Sequence, residues 1–175
     1  MIEDCKTIID IIHGQRFHLG RDGDGSGFYR NDVSKWVIGY ILGVEWEPSL
    51  VTYTDQNNPD KTEYVGKYMR TTDDATPFET ALAQLGDAVI EYETTRYKEQ
   101  RLVAFSNWPT TDPFKYSVVT TVYRKKSAAV NVEHIQPTEE FISGYFASYH
   151  VYPYYPDYLE TEHQAEQYTR DDLRK

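Results

Sequence analysis

Three apolar, aromatic-rich segments separated by long connections constrain the fold of this chain more than any other feature. They read WVIGYILGVEW (residues 36–46), RLVAFSNW (101–108) and GYFASYHVYP (144–153). Continuous apolar runs of this kind are typical of strands buried on both faces, as in a parallel sheet. We therefore predict parallel neighbouring strands near residues 37–44, 102–107 and 145–151.

The connection between the first two runs contains the clearest local signal. Thr76, Pro77 and Glu79 give an N-cap, a first-turn proline and a capping-box acid. Apolar residues then recur at steps of three and four, at Phe78, Leu82, Leu85, Val89 and Tyr92. The spacing predicts an amphipathic helix over about residues 77–97, packed outside the strands.

Two other segments are less decisive. Residues 2–12 have apolar side chains at helical spacing, but the terminal IIDII is equally compatible with a short strand. Residues 110–137 have mixed signals and give no assignment. The order of strand, helix, strand, long unassigned connection (residues 110–137) and strand is that of a parallel α/β fold. No glycine-rich phosphate motif follows a strand, which argues against a dinucleotide-binding sheet.

Composition excludes several classes of function. The formal net charge of −10 argues against nucleic acid and anionic membranes as partners. No apolar run reaches membrane-spanning length, and the amino terminus lacks the order of a signal peptide. A single cysteine, Cys5, excludes an internal disulfide and a cysteine-based zinc site. We predict neither a cofactor nor a bound metal.

The segment RDGDGSGFYRND (residues 21–32) partly matches a calcium-binding loop. The matching positions are Asp22, Asp24, Ser26 and Gly27. Position 12 of such a loop requires a bidentate glutamate, and Val33 stands there without an oxygen ligand. The segment is therefore predicted to be a glycine-rich surface loop, and a calcium-binding domain remains the third hypothesis for this chain.

Each of the three runs ends in charged, polar or amphipathic aromatic side chains that are unusual in a hydrophobic core. They are Glu45, Trp46 and Glu47, then Asn107, Trp108 and Asp112, then His150, Tyr152, Tyr154, Tyr155 and Asp157. Taken singly, Glu45 is explained as a solvated strand end and His150 as a core histidine. Taken together they indicate a site, because functional groups of parallel α/β folds cluster at the carboxyl ends of strands. The 16 tyrosines suit a groove for polar, flat-faced ligands such as sugars.

The segments VIGYILGVEWEP and SYHVYPYYPD resemble the fourth and sixth strands of retaining (β/α)8 glycoside hydrolases of the cellulase, mannanase and β-galactosidase superfamily. The resemblance implies that Glu45 is the general acid/base, and that His150 and Tyr152 are the His-x-Tyr pair of the sugar site. It extends more loosely over most of the chain as strands three to six. The implied fold is α/β, a single-domain partial TIM barrel over residues 1–175 that lacks the first and last βα units.

Two departures from the superfamily bear on activity. Val44 replaces the usual asparagine before the acid/base, and the nucleophile is expected on a seventh strand that this chain does not reach. A complete barrel takes about 250 residues. We therefore expect a segment of a larger enzyme, inactive alone, whose parent activity is hydrolysis of β-glycosidic bonds with retention and whose open strand edges favour self-association. A general-acid role for Glu45 would require a raised pKa, for which desolvation by Trp46 and Trp108 is the candidate source.

By the same resemblance, the glycine-rich segment would leave the third barrel strand at the rim of the groove, with Asp22, Asp24 and Tyr29 contacting sugar hydroxyls. The remaining expected sugar contacts come from Trp46, Asn107, Trp108, Asp112, His150, Tyr152, Tyr154 and Tyr155. A non-catalytic carbohydrate-binding or structural module is the main alternative. The sugar, the linkage and the cellular compartment stay open at this point.

Overall fold

The structure, a computed structural model, describes residues 1–20, 23, 25–117, 119–123 and 126–152. In these residues the α-helices are α1 (Ile2–Ile12), α2 (Pro48–Asn57) and α3 (Pro77–Tyr97). The strands are β1 (Arg16–His18), β2 (Gly27–Tyr29), β3 (Gly39–Leu42), β4 (Met69–Thr71), β5 (Leu102–Asn107), β6 (Ile135–Pro137) and β7 (Ser148–Tyr149). The ambiguous amino-terminal segment is thus a helix.

The three apolar runs form one parallel sheet in the order β3-β5-β7. Tyr40 is in register with Val103, and Ser106 is in register with Ser148. The predicted parallel arrangement of the three runs is therefore confirmed. The molecule is a mixed α/β structure, and the described strands do not close into a barrel.

Helix α3 covers one face of this sheet and has the predicted bounds. Its capping box is complete, because Thr76 accepts a hydrogen bond from the Glu79 backbone and the Glu79 carboxylate accepts one from the Thr76 backbone. Gly86 allows close packing on β5, since a Cβ there would lie 2.4 Å from Met69 Sδ and 3.0 Å from Phe105 Cζ. The predicted apolar stripe is buried at Phe78, Leu82, Leu85 and Val89.

The first apolar run differs from its prediction in length and burial. Strand β3 has four residues, and the side chain of Ile41 is 55% exposed. The expectation of a strand buried on both faces is therefore wrong. The helices cover one face of the sheet, and Ile41 lies on the other. The run ends where Pro48 begins α2, a helix that the sequence analysis did not identify.

The remaining strands form two small antiparallel pairs. Strands β1 and β2 make an antiparallel hairpin with Phe17 paired to Phe28, and β2 lies within the glycine-rich segment. Strand β6, which lies in the unassigned segment 110–137, pairs with β4. The glycine-rich segment therefore does not leave a parallel strand as expected, and it is preceded by strand β1 and not by the entering helix of a calcium-binding EF-hand.

A buried polar network fastens α1 to α3 and to the amino end of the parallel sheet. Glu93 accepts hydrogen bonds from Tyr40 at 2.8 Å and from Arg101, and its carboxylate lies 2.9 Å from His13 Nε2. Asp10 of α1 accepts hydrogen bonds from the hydroxyl groups of two tyrosines on α3, Tyr92 and Tyr97. Because these groups satisfy one another, charged side chains are accommodated inside the fold.

Among the helices of the described residues, none combines the length and apolarity that crossing a bilayer requires.

Candidate functional site

The two faces of the parallel sheet have different surroundings. Tyr40 and Phe105 point toward α3, where Tyr40 bonds Glu93 and Phe105 lies against Gly86. The alternate residues, Ile41 and Ser106, face the opposite side. There a pocket of about 520 Å³ opens at the carboxyl ends of the strands, lined by Ile41, Gly43, Val44, Glu45, Ser106 and His150.

Three of the sequence-predicted residues meet at this pocket. Glu45 follows β3, and His150 and Tyr152 follow β7. The Nδ1 atom of His150 lies 2.8 Å from Glu45 Oε1, and the Tyr152 hydroxyl donates a hydrogen bond to the same oxygen. The side chains of Glu45 and His150 are about one-third exposed, at 35% and 38%. A dissolved ligand can therefore reach the pair from the pocket.

The hydrogen bonds set the charge of Glu45. The bond from Tyr152, and after it the bond from His150, lowers the pKa of the Glu45 carboxyl below its ordinary value. The same contact raises the pKa of Tyr152. The raised pKa that a general-acid role would require of Glu45 is therefore not found. Two donors aimed at one oxygen outweigh the modest desolvation of a group that keeps contact with water.

The other ring nitrogen of His150 faces β5. Its Nε2 lies 3.4 Å from the Ser106 hydroxyl oxygen, while the His150 backbone N–H donates to the Asn107 carbonyl at 2.8 Å. Ser106 was not identified from the sequence. A signal was present, because Ser106 is a polar residue directly after the apolar positions Val103 to Phe105 of a buried strand.

Trp46 and Trp108 hold the end of β3 against the core. Trp46 is 7% exposed and packs edge-on against Phe78, and Trp108 Nε1 donates to the Trp46 carbonyl at 2.8 Å. Gly43 has φ +96, and a Cβ there would lie 2.0 Å from the Trp46 ring. The Trp46 ring is thus directed into the core, away from the pocket where a sugar contact was expected.

Asn107 and Asp112 organise the long loop that follows β5. Asn107 is completely buried, and its amide nitrogen donates to the carbonyls of Thr111 and Val130. Asp112 accepts hydrogen bonds from the Phe114 backbone at 3.0 Å and from the Tyr116 hydroxyl. Burial raises the pKa of Asp112 to about 6. Neither residue lines the pocket.

The remaining predicted contacts do not converge on the pocket. Tyr29 lies in the hairpin between α1 and β3. The chain from this hairpin enters the sheet beside Arg101, which precedes β5 and donates to the carbonyls of Ser34 and Val37. Tyr29 is therefore near the amino end of the sheet. The predicted contacts outside the described residues are Asp22, Asp24, Tyr154 and Tyr155.

One cluster in the described part of the chain has the donor types of a metal site. The ligand atoms of His13, Glu93 and Glu99 all lie within 4.8 Å of one another. However, the guanidinium of Arg101 lies between the two carboxylates and pairs with both. A cation is already supplied by the chain, so this cluster does not fit a metal ion.

Comparison with known proteins found no relative of this chain. No protein-family model matches the chain, and neither the curated proteins nor the solved structures contain a match.

Proposed function

We propose that the pocket is a carbohydrate site of the glycoside-hydrolase type, whose parent chemistry is hydrolysis of β-glycosidic bonds with retention. One observation carries the proposal. Glu45 accepts hydrogen bonds from His150 and Tyr152, which lie 105 and 107 residues further along the chain. These are the three residues that the family resemblance selects, and they meet at the carboxyl end of a parallel sheet.

The arrangement of the strands supports the same proposal. β3, β5 and β7 are parallel neighbours that follow one another across the sheet in the order of the chain, with α3 crossing outside the first pair and the short strands β4 and β6 forming a separate pair. Consecutive strands of a (β/α)8 barrel have this relation, and barrel enzymes place their chemistry at the carboxyl ends of the strands. The partial barrel itself remains part of the proposal.

The state of Glu45 favours binding over cleavage. A retaining glycosidase needs a protonated acid and a nucleophilic carboxylate about 5 Å apart. The pKa of Glu45 is lowered, so it is ionised at neutral pH and accepts hydrogen bonds instead of donating a proton. Of the described residues that line the pocket, Glu45 is the one carboxylate. We therefore propose that the isolated chain holds a sugar without hydrolysing it.

Calorimetric titration tests the binding. Methyl β-glucoside, β-galactoside and β-mannoside, and their β-linked oligosaccharides, are titrated into the chain and into the variants His150→Ala and Tyr152→Phe. At least one sugar series should bind, and both variants should weaken it. Tyr149→Phe is the matched control, because Tyr149 is exposed on the same segment, while the tyrosine that bonds Glu45 is Tyr152. Absence of binding to every sugar would contradict the proposal.

A chromogenic assay tests the absence of cleavage. Aryl β-glucosides, β-galactosides and β-mannosides should be hydrolysed no faster by the chain than by Glu45→Gln. Turnover that disappears in Glu45→Gln would show that a second carboxylate reaches the pocket, from this chain or from a second subunit.

A further inference from the structure

The pocket aligns a serine, a histidine and a carboxylate. Ser106 Oγ lies 3.4 Å from His150 Nε2, and His150 Nδ1 lies 2.8 Å from Glu45 Oε1. Each residue belongs to a different strand or strand end of the β3-β5-β7 sheet. Because the two ring nitrogens face different partners, the imidazole connects the hydroxyl to the carboxylate. This is the geometry by which a histidine activates a serine, and it recurs on unrelated folds.

The hydrogen bonds fix the direction of proton movement. Glu45 is ionised and can only accept, so Nδ1 of His150 carries the proton between them. In the neutral imidazole, Nε2 then has a lone pair directed at the Ser106 hydroxyl. Tyr152 donates to the same Glu45 oxygen and helps to hold the carboxylate in place.

The surroundings of Ser106 match a small substrate. Ser106 is 1% exposed and lines the pocket, so a reactant would reach its hydroxyl through the pocket. Ile41 and Val44 give the wall an apolar character, and Gly43 contributes only backbone. A short acyl group suits such a wall, because it buries apolar surface while leaving its carbonyl near polar groups.

We propose that Ser106 is the nucleophile of an acyl-transfer site for esters with short acyl groups, with His150 as general base and Glu45 orienting the imidazole. Ser106 Oγ bonds to the ester carbonyl carbon while its proton passes to His150 Nε2. The C–O bond to the alcohol then breaks, and His150 returns the proton to the departing oxygen. Water, deprotonated by His150, releases the acid and restores the Ser106 hydroxyl.

This inference does not depend on the carbohydrate proposal, because the probe in its test contains no sugar. The purified chain is incubated with an alkyl fluorophosphonate, which phosphonylates activated serines with loss of fluoride. Mass spectrometry of the intact chain and of its peptides should show one adduct, on Ser106. Ser106→Ala should remove the adduct, and His150→Ala should slow labelling by about 100-fold or more.

Ser148→Ala is the matched control, because Ser148 is in register with Ser106 on the neighbouring strand. It should label within about twofold of the unaltered chain, since Ser148 has no place in the proton path. Labelling no faster than that of the urea-unfolded chain, an adduct on another residue, or a rate unaffected by His150→Ala would each overturn the proposal.

Discussion

The two ends of the parallel sheet each hold a histidine beside a glutamate, and the two pairs differ in their surroundings. At the amino end, His13 lies 2.9 Å from Glu93, and the side chains are 4% and 2% exposed. At the carboxyl end, His150 lies 2.8 Å from Glu45, and both side chains are about one-third exposed, at 38% and 35%. Nearly identical contacts are thus placed in a core and in a pocket.

A histidine–glutamate contact is therefore not sufficient to define a functional site. Glu93 is saturated by His13, Tyr40 and Arg101, all supplied by the chain, so the pair fastens α1 to the sheet. Glu45 shares its pair with a pocket that a ligand can enter. The amino-end pair should therefore control stability, and the carboxyl-end pair should control binding and chemistry.

The largest expected effect comes from breaking the buried pair. Glu93→Gln removes the buried one of the two carboxylates that pair with the guanidinium of Arg101 and leaves the half-exposed Glu99 as its remaining anionic partner. Breaking a buried ion pair costs up to about 3–5 kcal/mol. Urea unfolding followed by circular dichroism should show that loss. The control, Glu45→Gln, should leave the unfolding midpoint nearly unchanged. Equal effects of the two substitutions would remove the distinction between the two ends.

Asp112 is a partly buried carboxyl whose partners are neutral donors, in contrast to Glu93 with its charged partner Arg101. Its pKa is raised from 3.8 to about 6 by burial. The folded chain therefore binds this proton more tightly than the unfolded chain, and stability falls as pH rises between those two values. Asp112→Asn should remove that dependence, with a gain at pH 7 of at most about 3 kcal/mol. Unfolding measured at pH 4 and pH 7 tests this, and an identical pH dependence in the variant would contradict it.

A substitution of Trp108, at the carboxyl end of the sheet, should lower stability by a smaller amount and leave sugar binding unchanged. Trp108→Phe removes the indole donor to the Trp46 carbonyl and should cost about 1 kcal/mol. Trp108 does not line the pocket, so the affinity for sugar should change little. Thermal unfolding and calorimetric titration check the two expectations. A large loss of affinity with little loss of stability would instead indicate that Trp108 contacts the sugar, as the sequence predicted.

Tyr29 should give the smallest effect, because it belongs to the hairpin at the amino end. Tyr29→Phe is expected to leave sugar affinity unchanged within error, whereas Tyr152→Phe weakens it. The same titration measures both. A loss in Tyr29→Phe equal to that in Tyr152→Phe would place the glycine-rich hairpin at the ligand, as the sequence-based interpretation did.

The sequence predicted the parts of the fold that depend on local rules. Thr76, Pro77 and Glu79 placed the start of α3, and apolar runs located the three parallel strands. Burial was less predictable, because the run around β3 is apolar whether or not anything covers Ile41. The β1-β2 hairpin was missed since its strands are three residues long and lack an apolar alternation.

The residues of the pocket were also predictable only in part. Residues at strand ends could be placed together because parallel strands share an edge, and Glu45, His150 and Tyr152 meet there. The direction of a ring could not be read from its neighbours, so Trp46 was expected in the groove although it packs in the core. Ser106 was passed over because only the register with β7 brings it beside His150.

The most direct test of the account is a sugar titration followed residue by residue in ¹H–¹⁵N NMR spectra. The sugar that binds most tightly by calorimetry is added to the labelled chain. We predict that shifts change around Glu45, Ser106 and His150, with those of His13 and Glu93 unmoved. Changes centred on His13 and Glu93, or no changes at saturating sugar, would contradict the claim that the carboxyl-end pair is the functional one.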